Sequence, residues 1–291
     1  MKRFLTTAAA ALLAATLFTG KAQGEIPDKL VLGMVPSREA DVIVDSLGPL
    51  GEMLSEALLI PVETFVSTNY TALVEAVGTG RVDIAFFGPS SLVQAMDVHD
   101  AEVILASVRR GSTQYRAQFN VRCDSGITEF EQLRGTTIAW VDPGSSSGYR
   151  FPYVSLKNTH GIDPDTEMTQ IFAGSHDAAM LAVYNGDVDV ALTFGGSPGS
   201  DGRTTIQTDY PDVFDVICIV GYADWIPNDG TVVRKGLDPE LVEQIKQALI
   251  DIADTEEGQV LTEAMFNVTG FARIDASAYD IVRQVDATFQ R

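Results

Sequence analysis

Residues 70–85 read YTALVEAVGTGRVDIA, and residues 176–191 read HDAAMLAVYNGDVDVA. The two stretches agree at seven of sixteen positions, at an offset of about 106 residues. Each predicts a helix, a tight turn at glycine and a buried strand. The strand LVLGMV before Pro36 likewise recurs as TTIAWVD before Pro143. Two strand–loop–helix units therefore return in the same order, which indicates an internal duplication.

Apolar segments of strand length alternate with helical segments along the rest of the chain. This alternation is typical of parallel or mixed sheets covered by helices, so the predicted fold class is α/β. The duplication favours two lobes over a single sheet that uses one common unit twice. We predict lobe 1 at 25–118 plus 224–291 and lobe 2 at 119–223, with hinge crossings at 118–122 and 219–223. The switch points of two such lobes would converge on one cleft.

The first 24 residues predict export. Lys2 and Arg3 precede an Ala/Leu-rich stretch that runs to Phe18, and small residues at 22–24 suit a cleavage site. This stretch is shorter than the roughly 20 apolar residues that span a bilayer. Since no cysteine lies near the cut to carry a lipid, we expect a soluble protein in the periplasm or another extracytoplasmic compartment.

The charge balance excludes several partners. The sequence has 40 acidic against 20 basic residues, for a formal charge of −20, and removal of the cationic first 24 residues would leave −23. Such a chain repels nucleic-acid backbones and anionic lipid surfaces. P-loop, EF-hand and zinc-protease motifs are absent, so we expect neither a metal nor a cofactor.

Cys123 and Cys218 are the two cysteines of the sequence. An oxidising compartment permits them to pair, whereas a structural zinc site needs four ligands. The sequence leaves a disulfide and two buried thiols equally open. If the strands that carry them are neighbours, a disulfide would brace the predicted hinge.

The segment VDPGSSSGYRFP, residues 141–152, predicts an anion site. A strand ends at Val141, a Pro-Gly turn follows, and Ser145, Ser146 and Ser147 precede a helix. Backbone N–H groups at a helix start, the positive end of the helix dipole and extra hydroxyl groups can bind a tetrahedral oxyanion without a formal positive charge. An ordinary helix cap needs one serine rather than three.

The repeated helices add two aromatic donors. The segments STNY and AGSH each place a capping hydroxyl before a ring at the helix start, so Tyr70 and His176 are equivalent positions. A phenol O–H and an imidazole N–H both donate hydrogen bonds to anion oxygens. The segment GPSS offers Ser90 and Ser91 as further donors, with a purely structural capping role equally open.

One carboxylate completes the predicted ligand set. Asp229, in the loop YADWIPNDG, would repel an anion unless it accepts a proton from the ligand or meets a cationic substituent. Arg150 could assist, although we expect it on an exposed helix face. Neutral donors would then dominate the site, because charges elsewhere are screened beyond about 10 Å at ordinary salt.

The order of STNY, GPSS, VDPGSSSGY, FAGSHDAAMLAVYNGDVDVA, DYPDVF and IPND resembles the phosphate-, phosphite- and phosphonate-binding proteins of ABC importers, over nearly all of the chain after residue 24. The resemblance implies a type II periplasmic-binding-protein fold, with two lobes joined by two hinge strands. It implies a monomer that closes on a phosphorus oxyanion and serves a permease with its ATPase. The implied ligand contacts are Tyr70, Ser145, Ser146, Ser147, His176 and Asp229.

The chain departs from this family at two places. Members that bind an aminoalkyl phosphonate have a carboxylate just after the second repeated strand, where this chain has Gly195 and Gly196. The sequence therefore has no carboxylate at this position to bind a ligand amine. We call Ser145, Ser146 and Ser147 the serine loop. Where the family usually has a threonine in this loop, this chain has Ser146.

Two other functions fit parts of the sequence. Residues 144–148 satisfy G-x-S-x-G, so one alternative is a secreted serine hydrolase that uses Ser146, Asp163 and His176, although the upstream oxyanion segment of such enzymes is missing. The other alternative is a ligand-binding partner of a membrane sensor kinase. Similar proteins include an arsenite sensor partner that uses a cysteine, for which Cys123 would be the candidate.

Overall fold

The computed structural model describes residues 24–290 of the chain. The predicted export signal, 1–24, lies outside this range apart from Gly24. The described part contains eleven strands: β1 (Leu30–Met34), β2 (Val62–Val66), β3 (Ile84–Phe87), β4 (Glu102–Val108), β5 (Gln114–Arg122), β6 (Thr137–Trp140), β7 (Thr169–Phe172), β8 (Val190–Gly195), β9 (Ile217–Pro227), β10 (Gly230–Val233) and β11 (Gly270–Ala272).

The helices alternate with these strands as the sequence predicts. The α-helices are α1 (Ala40–Leu58), α2 (Tyr70–Gly78), α3 (Pro89–His99), α4 (Phe151–Asn158), α5 (Pro164–Glu167), α6 (His176–Asn185), α7 (Val213–Val216), α8 (Pro239–Ala253), α9 (Glu256–Phe266) and α10 (Asp280–Asp286). Shorter turns of helix are a π-helix at Ser146–Arg150 and 3₁₀ turns at Phe130–Leu133, Gly202–Thr205, Ala276–Tyr279 and Ala287–Gln290.

The strands form two sheets, one in each lobe, and the sheets share a common order. The first sheet runs β11-β4-β10-β3-β1-β2 and the second runs β7-β6-β8-β5-β9. In each sheet three parallel strands, β2-β1-β3 or β7-β6-β8, are followed by one antiparallel strand, β10 or β5. The duplication predicted from the sequence is therefore confirmed, with β3 equivalent to β8 and α2 to α6.

The chain crosses between the lobes at the ends of strands. It leaves the first sheet between β4 and β5 and returns between β9 and β10. β5 pairs with β9 along its length, from Gln114 to Arg122. The predicted hinge segments, 118–122 and 219–223, lie inside this paired ladder. The crossings therefore lie before Gln114 and after Pro227, outside the predicted segments, because backbone pairing holds the whole of both strands in the second lobe.

A disulfide joins Cys123 to Cys218, with Cα atoms 4.9 Å apart. Cys123 follows β5 directly, and Cys218 lies opposite Val121 in the neighbouring strand β9. The disulfide lies at one end of the paired strands β5 and β9, and the two crossings lie at the other end. The disulfide therefore links two neighbouring strands within the second lobe. The prediction that it braces the hinge is wrong.

The packing ties the two lobes into one body. In the first lobe, α1 and α8 pack Leu47 and Ile245 against the face of the sheet that carries Leu32. A second cluster of buried apolar residues extends from α2 and α3 of the first lobe into β5, β6 and α4 of the second. No helix within residues 24–290 is both long and apolar enough to cross a membrane.

A candidate anion-binding site between the lobes

A cavity of about 40 Å³ lies between the two lobes. Six of the eight predicted ligand-contact residues line it: Tyr70, Ser145, Ser146, Ser147, His176 and Asp229. Both lobes contribute, since α2 carries the tyrosine, whereas the serines precede α4 and the histidine begins α6. The structure thus brings together donors that lie more than 100 positions apart in the sequence.

A side-chain cap and a glycine help to shape the serine loop. Ser145 is the N-cap of the π-helix Ser146–Arg150, and its Oγ accepts a hydrogen bond from the Gly148 N–H at 3.1 Å. A Cβ atom at Gly148 would lie 2.4 Å from the Val141 Cβ, so only glycine allows this close turn. All three serines of the loop are buried.

Tyr70 and His176 are the first residues of their helices, as the repeat predicts. The predicted hydroxyl cap is confirmed for α6, where Ser175 accepts a hydrogen bond from Ala178 N–H at 3.1 Å. In α2 the cap is the amide oxygen of Asn69 instead. Ser67 lies two residues before this N-cap, and its hydroxyl donates to the backbone carbonyl oxygens of Met34 and Asn69.

His176 is a neutral ring in this environment. Burial, followed by the charges of Arg38 and Arg109, lowers the pKa of His176 from 6.5 to about 3. Its Nδ1 atom is buried and has no hydrogen-bond partner within the described residues. The His176 and Phe194 rings pack edge to face, with their centroids 5.0 Å apart. A neutral imidazole has one N–H to donate, so His176 can bind an anion as a dipole but not as a cation.

Two tyrosines on the wall also stay neutral. Burial, reinforced by the carboxylate of Asp142, raises the pKa of Tyr70 well above 10. Burial and the charge of Asp229 raise the pKa of Tyr115 in the same way. Each phenol therefore keeps its proton at physiological pH and can donate it in a hydrogen bond to an anion.

Two guanidinium groups lie on the cavity wall, which corrects the prediction that neutral donors dominate. Arg109 forms an ion pair with Asp229, and Arg38 Nε lies 3.0 Å from Asp177 Oδ1. Asp229 therefore faces the cavity with a cation beside it. Its repulsion of an anion is reduced accordingly.

Arg150 does not line the cavity. Its Nε donates to the carbonyl oxygen of Pro143 at 2.8 Å, and its Nη1 lies 3.1 Å from Asp286 of the first lobe. The side chain is largely buried, which corrects the expectation of an exposed helix face. It ties the serine loop to the C-terminal segment and stays out of the ligand space.

Ser90 and Ser91 do not line the cavity either. The N–H of Ser90 donates to Ser146 Oγ at 2.8 Å, and Ser146 in turn donates to Ser90 Oγ at 3.1 Å. Ser91 Oγ donates to the carbonyl oxygen of Gly144 at 3.0 Å. These bonds join the start of α3 in the first lobe to the serine loop of the second.

A second set of contacts joins the lobes beside the cavity. The His176 N–H donates to the Ser37 carbonyl oxygen at 3.0 Å, and the Glu39 N–H donates to Asp177 Oδ2 at 3.0 Å. Together with the Arg38–Asp177 pair, they dock the loop after β1 onto the start of α6. The lobes therefore touch each other at two separate places.

The sequence did not reveal several wall residues. Ser37, whose buried Oγ has no hydrogen-bond partner within the described residues, offers a donor, and Arg38 follows it. Arg109 and Tyr115 flank the crossing into β5. Because the predicted hinge lies at 118–122, both residues fall within the range predicted for lobe 1. A charged residue directly after the buried strand β4 was the available signal.

The hydrolase alternative fails on geometry. A catalytic triad needs a carboxylate on the second ring nitrogen of the histidine, and His176 Nδ1 has no hydrogen-bond partner among the described residues. Asp163 instead caps α5 and lies 3.0 Å from Lys157 Nζ. The thiol-based sensing alternative fails as well, because the sulfur of Cys123 is bound in the disulfide.

Two duplicated α/β lobes that enclose a small, donor-lined cavity define a bilobal solute-binding protein. The chain belongs to the family of periplasmic substrate-binding proteins of phosphonate ABC transporters, whose model matches residues 32–279. Membership places it among binding proteins of transport systems and not among enzymes.

Individual relatives agree with this placement. The chain is 28% identical to the phosphate-import protein PhnD of Mycolicibacterium smegmatis, over 90% of this chain and 83% of that protein. It is 25% identical to the phosphonates-binding periplasmic protein of Escherichia coli, over 86% of this chain and 72% of that protein. The solved structure of PhnD1 from Prochlorococcus marinus in complex with methylphosphonate has the same fold, with a TM-score of 0.79 at 18% identity, covering 91% of this chain and 99% of that one.

Proposed function

We propose that this protein captures a small phosphorus oxyanion outside the cytoplasm and delivers it to a membrane permease driven by an ATPase. The observation that carries the proposal is the convergence of Tyr70, the serine loop and His176 on one cavity. Because the donors come from both lobes, an anion stabilises the closed arrangement over an open one. The ligands named for the relatives, phosphate and phosphonates, support the same chemistry.

The charges on the cavity wall favour an anion with at least one proton. Arg38 and Arg109 attract negative charge, whereas Asp229 can only accept a hydrogen bond while it is ionised. A ligand P–OH group would donate to Asp229 as the other oxygens accept from the phenol, hydroxyl and imidazole donors. Short-range contacts of this kind outweigh the screened charges of the remaining acids.

Export of the chain is part of the proposal. We expect residues 1–24 to direct secretion and to be removed, which is the arrangement required for a protein that meets its ligand in the periplasm. N-terminal sequencing of the secreted protein should find its first residue close to Glu25. Retention of the intact N-terminus in the cytoplasmic fraction would contradict this part.

Calorimetric titration of the purified protein tests the binding function. Phosphate, phosphite and methylphosphonate are titrated in turn, with sulfate as a reference anion. At least one phosphorus anion should bind, and Tyr70→Phe should weaken it by about 1.5–3 kcal/mol, the usual contribution of a hydrogen bond to a charged group. Tyr184→Phe is the matched control, because that phenol donates to Asp212 outside the cavity. Absence of binding, or equal affinities for Tyr70→Phe and the wild type, would overturn the proposal.

A further inference from the structure

One section of the cavity wall is apolar. It is formed by Val35 after β1, Phe194 of β8 and Met265 of α9, so it draws on both lobes. Val35 and Met265 are almost completely buried. A phosphorus–oxygen group placed against this section would lose hydration without gaining a hydrogen bond. The wall therefore suits a ligand in which one substituent on phosphorus is apolar.

The same region has no place for a carboxylate that would pair with a ligand amine. A Cβ atom at Gly195 would lie 1.9 Å from Gln118 Oε1, so a side chain after Phe194 would require the buried Gln118 side chain to move. Gly196 has a φ of +74°, which disfavours any other residue. Asp229, which does line the cavity, is already paired with Arg109. A cationic substituent would find no uncompensated partner.

Met265 separates this cavity from a second, smaller one. The smaller cavity, of about 10 Å³, lies behind Met265 and is lined mainly by apolar side chains, among them Phe86, Val268 and Phe271. Met265 is the residue that lines both cavities. A methionine side chain is unbranched and flexible, so it can adapt its shape to both cavities.

We propose that the ligand is a phosphonate with one short, uncharged alkyl group, and that Met265 sets the upper limit on the length of that group. This inference rests on the proposed binding function. The anionic oxygens lie on the donors, and the alkyl group lies on the apolar section. A longer chain meets the Met265 side chain, and shortening this residue joins the smaller cavity to the ligand space.

The experiment is a titration of methyl-, ethyl-, propyl- and 2-aminoethylphosphonate against the wild type and Met265→Ala. In the wild type, affinity should fall at least tenfold from the methyl to the propyl compound, since one methylene in an apolar pocket changes binding by about 10- to 200-fold. The 2-aminoethyl compound should bind more weakly than the ethyl compound. Met265→Ala should reduce the methyl-to-propyl ratio at least tenfold.

Two control variants show whether the effect is specific to the length of the side chain at position 265. Met53→Ala, on α1 outside the cavity, should leave the ratio unchanged, and Met265→Leu should preserve the wild-type order. If Met265→Ala does not fold, Met265→Val gives the same test with a smaller expected change. A ratio unaffected by shortening Met265, or tighter binding of the 2-aminoethyl compound, would overturn the inference while wild-type binding of methylphosphonate upholds the function. A wild type that binds phosphate or phosphite but none of these phosphonates would overturn the inference and leave the proposed function intact, whereas a wild type that binds no phosphorus anion would overturn the proposed function itself.

Discussion

The two copies of the repeat place different residues at the same position, and burial gives both the same role. Tyr70 begins α2 of the first lobe, and His176 begins α6 of the second. Burial raises the pKa of the phenol and lowers that of the imidazole. Both rings are therefore neutral hydrogen-bond donors near pH 7. Opposite pKa shifts have one physical cause, which is that a buried site disfavours the charged form of either group.

The copies differ more in how each lobe is held together. Asp83 and Asp189, the equivalent acids of the repeat, both accept a hydrogen bond from a strand N–H at 2.8 Å. Asp83 is also buried against Arg234, whereas Asp189 is exposed. The second lobe has the disulfide instead. Equivalent positions thus carry unequal shares of stability.

The largest expected effect concerns the disulfide of the second lobe. Replacement of both Cys123 and Cys218 by alanine should lower the free energy of unfolding by about 4.7 kcal/mol, the chain-entropy value for a loop of about 100 residues. Ligand affinity should stay unchanged, because the disulfide lies away from the crossings between the lobes. Denaturant unfolding and calorimetry measure the two quantities. A large loss of affinity in the folded variant would restore the hinge-bracing role.

The paired acids of the repeat give the next effect. Asp83→Ala should lower the free energy of unfolding by about 3 kcal/mol, because the mostly buried Arg234 loses its buried partner and keeps only the exposed carboxylate of Glu25. Asp189→Ala, the matched change in the other copy, should cost about 1 kcal/mol. Urea unfolding of the two variants gives the comparison directly. Equal losses would mean that the copies are energetically equivalent.

The pH dependence of the free energy of unfolding tests whether His176 is neutral in the folded protein. Its pKa is about 3 in the folded protein and 6.5 as an unperturbed group, so the unfolded chain binds the extra proton between these values. Stability should therefore be complete above pH 6.5 and fall as the pH decreases, by about 2.7 kcal/mol at pH 4.5. His176→Gln should remove this part of the acid-side loss. Unfolding curves between pH 4.5 and 7.5 measure it.

His99→Gln is the control for this measurement. His99 lies at the end of α3, outside the cavity, next to Glu75. A pH profile of His176→Gln that follows the wild type would show that His176 is not held neutral by burial.

The smallest expected effect concerns closure of the lobes. Asp177→Asn weakens the docking of Arg38 and the Glu39 N–H and should cost about 1.5 kcal/mol of ligand affinity, mainly through faster release. Asp124→Asn is the control, since its partner Arg122 lies in the same lobe. Stopped-flow release of methylphosphonate measures both variants. An unchanged release rate for Asp177→Asn would separate this contact from closure.

The repeat was readable from the sequence because its signals are local. Helix periodicity, the turn glycines and the buried strand of each copy lie within sixteen residues, and together they placed Tyr70 and His176 at equivalent helix starts. The serine loop was readable for the same reason, because three hydroxyls before a helix exceed what capping needs.

The lobe boundary and the cationic wall depend on contacts between distant parts of the chain. β5 and β9 pair across about 100 residues, and no local pattern shows where that pairing stops, so Arg109 and Tyr115 were not recognised. The role of Ser90 was open for a similar reason. A hydroxyl near a helix start can cap, bind a ligand or bond another loop, and only the approach of Ser146 decides among these.

A crystal structure of the protein grown with methylphosphonate tests the central claim most directly. We expect one anion in the cavity, within hydrogen-bond distance of Tyr70 from the first lobe and of the serine loop and His176 from the second. An anion bound by one lobe alone, or bound away from this cavity, would contradict the account.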